Sequence, residues 1–262
     1  MPAAKHLLID SHCHPHFPQL AGLGDSLVAE MTENGVSGAL AVATSLADAV
    51  AVKDLTKAHP DVFYAACGVH PLTDESADDD EAAIIKCCDD DNVVAIGETG
   101  LDFFRGRESE KMQRRRFAAH IAAARKLNKP LIIHTRDSLP ETLDMLAAEK
   151  AQDCGGVLHC YGGDAEGIGK AANINFVVSF TGIVSFKNAA EVRAAVKAAP
   201  ADGYMVETDA PYLAPAPHRG KVCTPAMVRH VAKVIAAIRH ETYNEVVKQT
   251  TETFTRLFLS RA

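Results

Sequence analysis

Short apolar runs alternate with longer amphipathic stretches about eight times along this chain, and that alternation limits the fold more than any other feature. The apolar runs cover residues 7–14, 38–44, 62–70, 93–98, 130–134, 156–159, 176–180 and 204–209. Helical periodicity predicts helices over 25–34, 46–59, 108–128, 140–150 and 188–198, with 225–239 and 243–258 closing the chain. Two further helices are expected, one opened by the acidic run Asp78–Glu81 and a short one after Gly163; residues 99–107 read as a loop. Strands spaced in this way build parallel βα units. The 262 residues carry no linker-like composition shift, so the expectation is one domain, residues 1–262, folded as an α/β protein of the (β/α)8 TIM-barrel type. A doubly wound open sheet is the alternative. It is disfavoured because no early strand is followed by a Gly-x-Gly-x-x-Gly turn.

A net charge of −7 argues against a protein that coats nucleic acid non-specifically. It leaves room for an enzyme that confines positive charge to its cleft. The seven cysteines are scattered, with no Cys-x-x-Cys pair, so reduced thiols and a cytoplasmic location are expected. No apolar run is long enough to span a bilayer, and the N-terminus lacks the pattern of a signal peptide. A monomer is the default state. Arg114-Arg115-Arg116 and the acidic run at 78–81 both read as solvated helix surface.

The strand ends carry the chemistry. The first run ends in His12-Cys13-His14, and alternation puts both histidines on one face with Asp10 one step deeper. Later runs end in His70, Glu98, His134, His159 and Asp209. Along the fourth strand, alternation places Val94, Ile96 and Glu98 on one face, the apolar pair filling the barrel. A barrel of this class builds its active site at the C-terminal mouth from such strand ends. Imidazoles and carboxylates gathered there from separate strands are metal-ligand types, and a cation compensates a buried carboxylate. Six candidate ligands exceed the needs of one catalytic zinc and fit two divalent ions bridged by Glu98. His12, His14 and Asp209 would hold one ion, and His134 and His159 the other. Imidazole-rich ligation suits Zn or Mn, and Mg remains open for a weaker, carboxylate-rich site.

The ordered set Asp10-Ser-His12-Cys-His14, Gly68-Val-His70-Pro71, Gly97-Glu98-Thr-Gly-Leu-Asp102-Phe, His134-Thr-Arg136-Asp137, His159-Cys-Tyr and Glu207-Thr-Asp209-Ala-Pro-Tyr-Leu resembles the TatD family of metal-dependent deoxyribonucleases, amidohydrolase-like barrels. The similarity spans nearly the whole chain. It implies a TIM barrel with two divalent metals that hydrolyses DNA from the 3′ end, and it carries ligand roles onto His12, His14, Glu98, His134, His159 and Asp209. The loop Val222-Cys223-Thr224-Pro225 departs from the family's Arg-Asn-Glu-Pro, as does Thr251-Glu252-Thr253-Phe254 from its usual Asn, which puts substrate preference in question.

The expected mechanism uses a metal-activated water, with Asp209 as its base or orienting group and His70 on the phosphate or leaving group. Arg136, His218 and Arg219 are candidate substrate contacts, with Arg105, Arg107 and Lys221 along the backbone path. Phe103, Phe104 and Tyr212 are candidates for stacking on bases. Asp10 and Glu207 are expected to accept the outer N–H of ligand imidazoles. The expected substrate is DNA, single-stranded or at 3′ ends. The same site would serve an ester or amide hydrolase such as an aminoacyl-tRNA deacylase. A non-catalytic scaffold is disfavoured by the complete ligand set.

Overall fold

The computed structural model describes residues 7–74 and 79–260; Asp78 of the acidic run lies outside them. Eight parallel strands lie side by side in sequence order. They are β1 (Leu8–Cys13), β2 (Val36–Val42), β3 (Phe63–Cys67), β4 (Val93–Asp102), β5 (Leu131–Arg136), β6 (Gly156–Leu158), β7 (Phe176–Phe180) and β8 (Tyr204–Val206). Helices α1 (Gly24–Glu33), α2 (Asp48–Ala58), α3 (Glu81–Cys88), α4 (Glu110–Leu127), α5 (Leu139–Ala148), α6 (Ala165–Asn173) and α7 (Ala190–Ala198) fill the successive connections, and α8 (Val228–Arg239) and α9 (Tyr243–Phe254) follow β8.

The sheet closes between its last strand and its first. Cys13 and Ala210 form a parallel bridge, the His14 amide donates to Ala210 O at 2.7 Å, and the Asp209 amide donates to His12 O at 2.9 Å. Below this the Asp10 carboxylate takes the place of ladder bonds. It accepts from the Thr208 amide at 2.9 Å and from the Thr208 hydroxyl at 2.5 Å. The (β/α)8 expectation therefore holds.

Two apolar layers result from strand alternation. Leu40, Val42, Ala66, Ala95, Ile132, Val157 and Met205 fill the barrel, and Phe254, Leu257 and Phe258 plug its floor. Ile96 departs from the expected facing. It packs in the outer layer with Val93, Leu131 and Ile133, whereas Ala95 faces inward. The cause is a bulge: Ala65 pairs with Val93 but Ala66 with Ala95, so one extra residue shifts the phase. A second irregularity between Ile96 and Thr99 restores it and turns Glu98 inward.

Arg116 is not a solvated surface residue. It is 1% exposed and pairs with Asp79 at 2.7 Å, itself 4% exposed. Its guanidinium also donates to the carbonyls of His70 (2.9 Å), Pro71 (3.3 Å), Thr73 (2.9 Å) and Asp74 (3.1 Å). One turn on, buried His120 accepts from the Val69 amide at 3.0 Å, its other nitrogen meeting Arg116 O at 2.8 Å. Helix α4 thus grips the segment that follows β3. Of the acidic run, Asp80 caps α3 by accepting from the Ala83 amide at 2.8 Å, while Asp79 is the buried partner of Arg116.

Burial lowers the His120 imidazole to about 4 from 6.5. The unfolded chain takes up this proton near pH 6.5 and the folded chain only near 4, so protonation favours unfolding in between. The contribution is intact above pH 6.5 and lost as pH falls toward 4, about 3 kcal/mol in all. His120→Gln keeps an acceptor and a donor without titrating. Its urea midpoint should therefore fall less than the wild type's between pH 7 and 4.5; parallel falls would contradict the assignment.

Candidate metal centre

Glu98 is the hub of the barrel mouth. It is 3% exposed and reaches the interior because the strands around it come unusually close. Gly97 adopts φ +143°, and a Cβ there would sit 2.5 Å from Ile132 O; a Cβ on Gly68 would meet Gly97 Cα at 2.6 Å. Glycine at both positions lets β3, β4 and β5 bring their ends to one point.

Five imidazoles surround Glu98. Its Oε1 lies 2.9 Å from His134 Nδ1, 2.8 Å from His159 Nε2 and 3.6 Å from His70 Nε2. Its Oε2 lies 3.4 Å from His12 Nε2 and 3.6 Å from His14 Nε2. Asp209 adds a second carboxylate, with Oδ1 3.4 Å from His14 Nε2 and 3.9 Å from His12 Nε2. Burial opposes the charge on Glu98, but the imidazoles of His159, His70, His12 and His134 outweigh it and hold the carboxyl well below its ordinary range.

The donor set fits divalent cations. His14 Nδ1 stands 2.7 Å from Val42 O, so it carries the proton and leaves the Nε2 lone pair facing the centre. That lone pair sits 3.2 Å from His12 Nε2, an arrangement that a shared cation satisfies well. The outer nitrogen of His12 is buried without a hydrogen-bond partner among the described residues. Donor atoms lie within 4.8 Å of one another in three groups: His12, His14 and Asp209; His12, Glu98 and His159; and His70, Glu98 and His134. The first group matches the expected ligand set of one ion. In the others, His134 and His159 fall in separate groups, and both meet Glu98 Oε1.

His70 differs from His14 in tautomer. Its Nδ1 accepts from the Leu72 amide at 3.1 Å, which leaves the proton on Nε2 when the ring is neutral. Burial favours the neutral ring, pushing it down to about 3. The group aimed at the centre is therefore an N–H donor rather than a ligand lone pair, although it lies within ligand range.

Around these side chains the structure places the remaining candidates. Glu207 accepts from the Cys160 amide at 2.6 Å and the Ser179 hydroxyl at 2.5 Å, and lies 3.5 Å from His159 Nδ1. Asp10 does not sit against an imidazole as expected. Its partners are Thr208 and the His12 amide at 3.3 Å, because the strand seam takes both of its oxygens; it supports His12 through the backbone. Arg136 stacks on Phe104 at 4.2 Å; Phe104 is 59% exposed, whereas Phe103 is buried beneath Arg107. Tyr212 is exposed and edge-on to Phe17. Arg219 covers Phe186 at 3.5 Å, and His218 packs on His230. In the altered loop, Cys223 is buried and Thr224 bonds Glu30 at 3.0 Å, so these two belong to the scaffold.

Asp102 was missed as a site residue. Its Oδ2 lies 3.1 Å from His134 Nε2, so His134 stands between two carboxylates. The expected loop at 99–107 is in its first four residues the end of β4. Period-two spacing from Glu98 through Gly100 to Asp102 was the available signal.

Comparison with known proteins agrees with this centre. Residues 9–259 match the family model described as TatD related DNase. The chain is 43% identical over 254 residues to an uncharacterized metal-dependent hydrolase of Escherichia coli K12, YcfH, covering 96% of this chain and 95% of that one. It is 31% identical to the 3'-5' ssDNA/RNA exonuclease TatD of Pectobacterium parmentieri, covering 89% and 92% of the two chains. In fold it is similar to the crystal structure of YJJV, a TatD homolog from Escherichia coli, with a TM-score of 0.90 at 23% identity and coverage of 96% and 97%. Sequence match, barrel and a mouth full of metal-binding side chains agree: the chain belongs to the TatD family of metal-dependent hydrolases.

Proposed function

We propose that this protein removes nucleotides from the 3′ end of single-stranded DNA, using two divalent cations that Glu98 would help to hold. The observation that carries this reading is Glu98 among the imidazoles of His12, His14, His134 and His159, with Asp209 at the open side. The relative named as a 3'-5' ssDNA/RNA exonuclease supports the substrate class. His12, His14 and Asp209 would hold one ion; His134 and His159 would complete the other. Bound cations supply Lewis acidity for the phosphoryl oxygens and lower the pKa of a water.

The chain's own groups do the rest. Asp209 is the more open carboxylate, 18% exposed against 3% for Glu98, and it orients the attacking water and accepts its proton. His70 presents Nε2–H to the phosphate or to the leaving 3′ oxygen. Glu207 fixes the His159 ring. Arg136, its guanidinium over the Phe104 ring, contacts a backbone phosphate, with His218 and Arg219 further along the strand.

The test uses 5′-labelled single-stranded DNA with Mn, Mg or chelator. Stepwise 3′ shortening abolished by chelator is expected. Intact DNA alongside metal-dependent hydrolysis of aminoacyl esters would instead favour the deacylase reading of the same centre.

A further inference from the structure

The turn that follows β4 holds one aromatic ring out at the barrel mouth. Phe104 is 59% exposed, whereas its neighbour Phe103 is 7% exposed. The turn is braced on every side. Asp102 Oδ1 accepts from the Arg105 amide at 2.8 Å, and the Gly106 amide donates to Asp102 O at 3.2 Å. Buried Gln113 of α4 grips both ends. Its side-chain oxygen accepts from the Asp102 amide at 2.8 Å, and its nitrogen donates to Gly106 O at 2.7 Å. An apolar ring fixed in this way can receive a ligand without a further ordering cost.

The ring also has a defined place relative to the metal centre. In the β4–β5 ladder Gly100 pairs with His134 and Asp102 with Arg136. Arg136 therefore stands two residues beyond His134, about 6.6 Å along the strand. Its guanidinium carbon lies 4.2 Å from the centroid of the Phe104 ring. Arg107 and Arg114 are already paired with Glu110, at 3.3 Å and 2.7 Å. Among the described residues, no carboxylate comes within ion-pair distance of Arg136. An unpaired cation and an open ring thus stand together beside the centre, the pairing that a phosphate and its adjoining base require.

We propose that Phe104 stacks the base of the penultimate nucleotide, the one whose 3′ oxygen leaves. This role rests on the exonuclease reading above. On the 3′ side of the bond to be cut, the substrate ends in a hydroxyl and offers no further phosphate. An arginine that binds phosphate beside the centre therefore meets the strand on the 5′ side. The base between the reacting phosphate and the phosphate at Arg136 is the penultimate one, and Phe104 lies against Arg136. Stacking uses the π-face common to all four bases, so the ring senses that a base is present rather than which base it is.

Single-stranded oligonucleotides with one abasic residue at the terminal, penultimate or third position from the 3′ end test this. The full-length protein is assayed with Mn, and kcat/KM for 3′ shortening is compared with that for the unmodified strand. In the wild type the penultimate abasic residue should lower kcat/KM about tenfold. Phe104→Ala should abolish that discrimination, and Phe104→Trp should retain it. Tyr212→Ala, which alters the other exposed aromatic of the mouth, should also retain it. A discrimination that survives in Phe104→Ala or vanishes in Tyr212→Ala would overturn the stacking role and leave the exonuclease reading standing. So would a Phe104-dependent effect at the terminal or third position in place of the penultimate one. No shortening of any oligonucleotide would remove the exonuclease reading, and the stacking role with it.

Discussion

Glu98→Gln is expected to lower hydrolytic activity by on the order of 10³-fold or more and to reduce bound metal in the same preparation. The substitution keeps the side chain's shape while removing its charge. It also replaces one acceptor oxygen with an amide nitrogen that faces imidazole nitrogens. Glu98 touches His12, His14, His134 and His159, so neither of the proposed ion sites is left intact. Metal content by elemental analysis and turnover of a simple phosphodiester separate this result from any question of natural substrate. A second readout is thermal. A ligand present at a hundred times its dissociation constant stabilises the fold by about 2.7 kcal/mol, and a chelator should remove that increment from the wild type but not from Glu98→Gln. Full metal content with unaltered turnover would show that the bridging role is wrong.

Arg116→Met is expected to cost about 3–5 kcal/mol of stability. Methionine roughly matches the length of the arginine, so the cost is not a simple cavity. It arises because Asp79 keeps only the exposed Arg115 as its cation, and the carbonyls of His70, Pro71, Thr73 and Asp74 lose the guanidinium donor. Urea denaturation measures the loss. Combining Arg116→Met with Asp79→Leu should recover part of it, since no stranded charge then remains. A loss below about 1 kcal/mol would mean that water replaces the guanidinium easily at this site.

Much of the centre was legible because strand ends in a parallel barrel obey a simple rule. Period-two alternation and the C-terminal mouth were enough to bring His12, His14, Glu98, His134, His159 and Asp209 together. The failures have local physical causes. The bulge at Val94 exchanges the facing of Ala95 and Ile96, and no residue type there announces it. Asp102 was lost with an early strand end. Arg116 was misjudged by its charge, although helical spacing puts it on the buried face with Gln113 and His120. What hides it from solvent is a set of carbonyls more than forty residues away in the chain, which helix periodicity does not report.

The seam between β8 and β1 has a consequence for synthesis on the ribosome. His12 and His14 leave the exit tunnel early, while Asp209 and the Thr208 groups that pair with Asp10 leave nearly two hundred residues later. Until then the histidine pair lacks the Asp209 carboxylate beside it, and the first strand lacks a neighbour on one edge. On the proposed ligand set, an ion would find its full set of donors there only after the barrel has closed. An incomplete product released from the ribosome before residue 209 would carry histidines but no finished catalytic centre. The topology thus delays assembly of this donor cluster until residue 209 has been synthesised and the seam has closed.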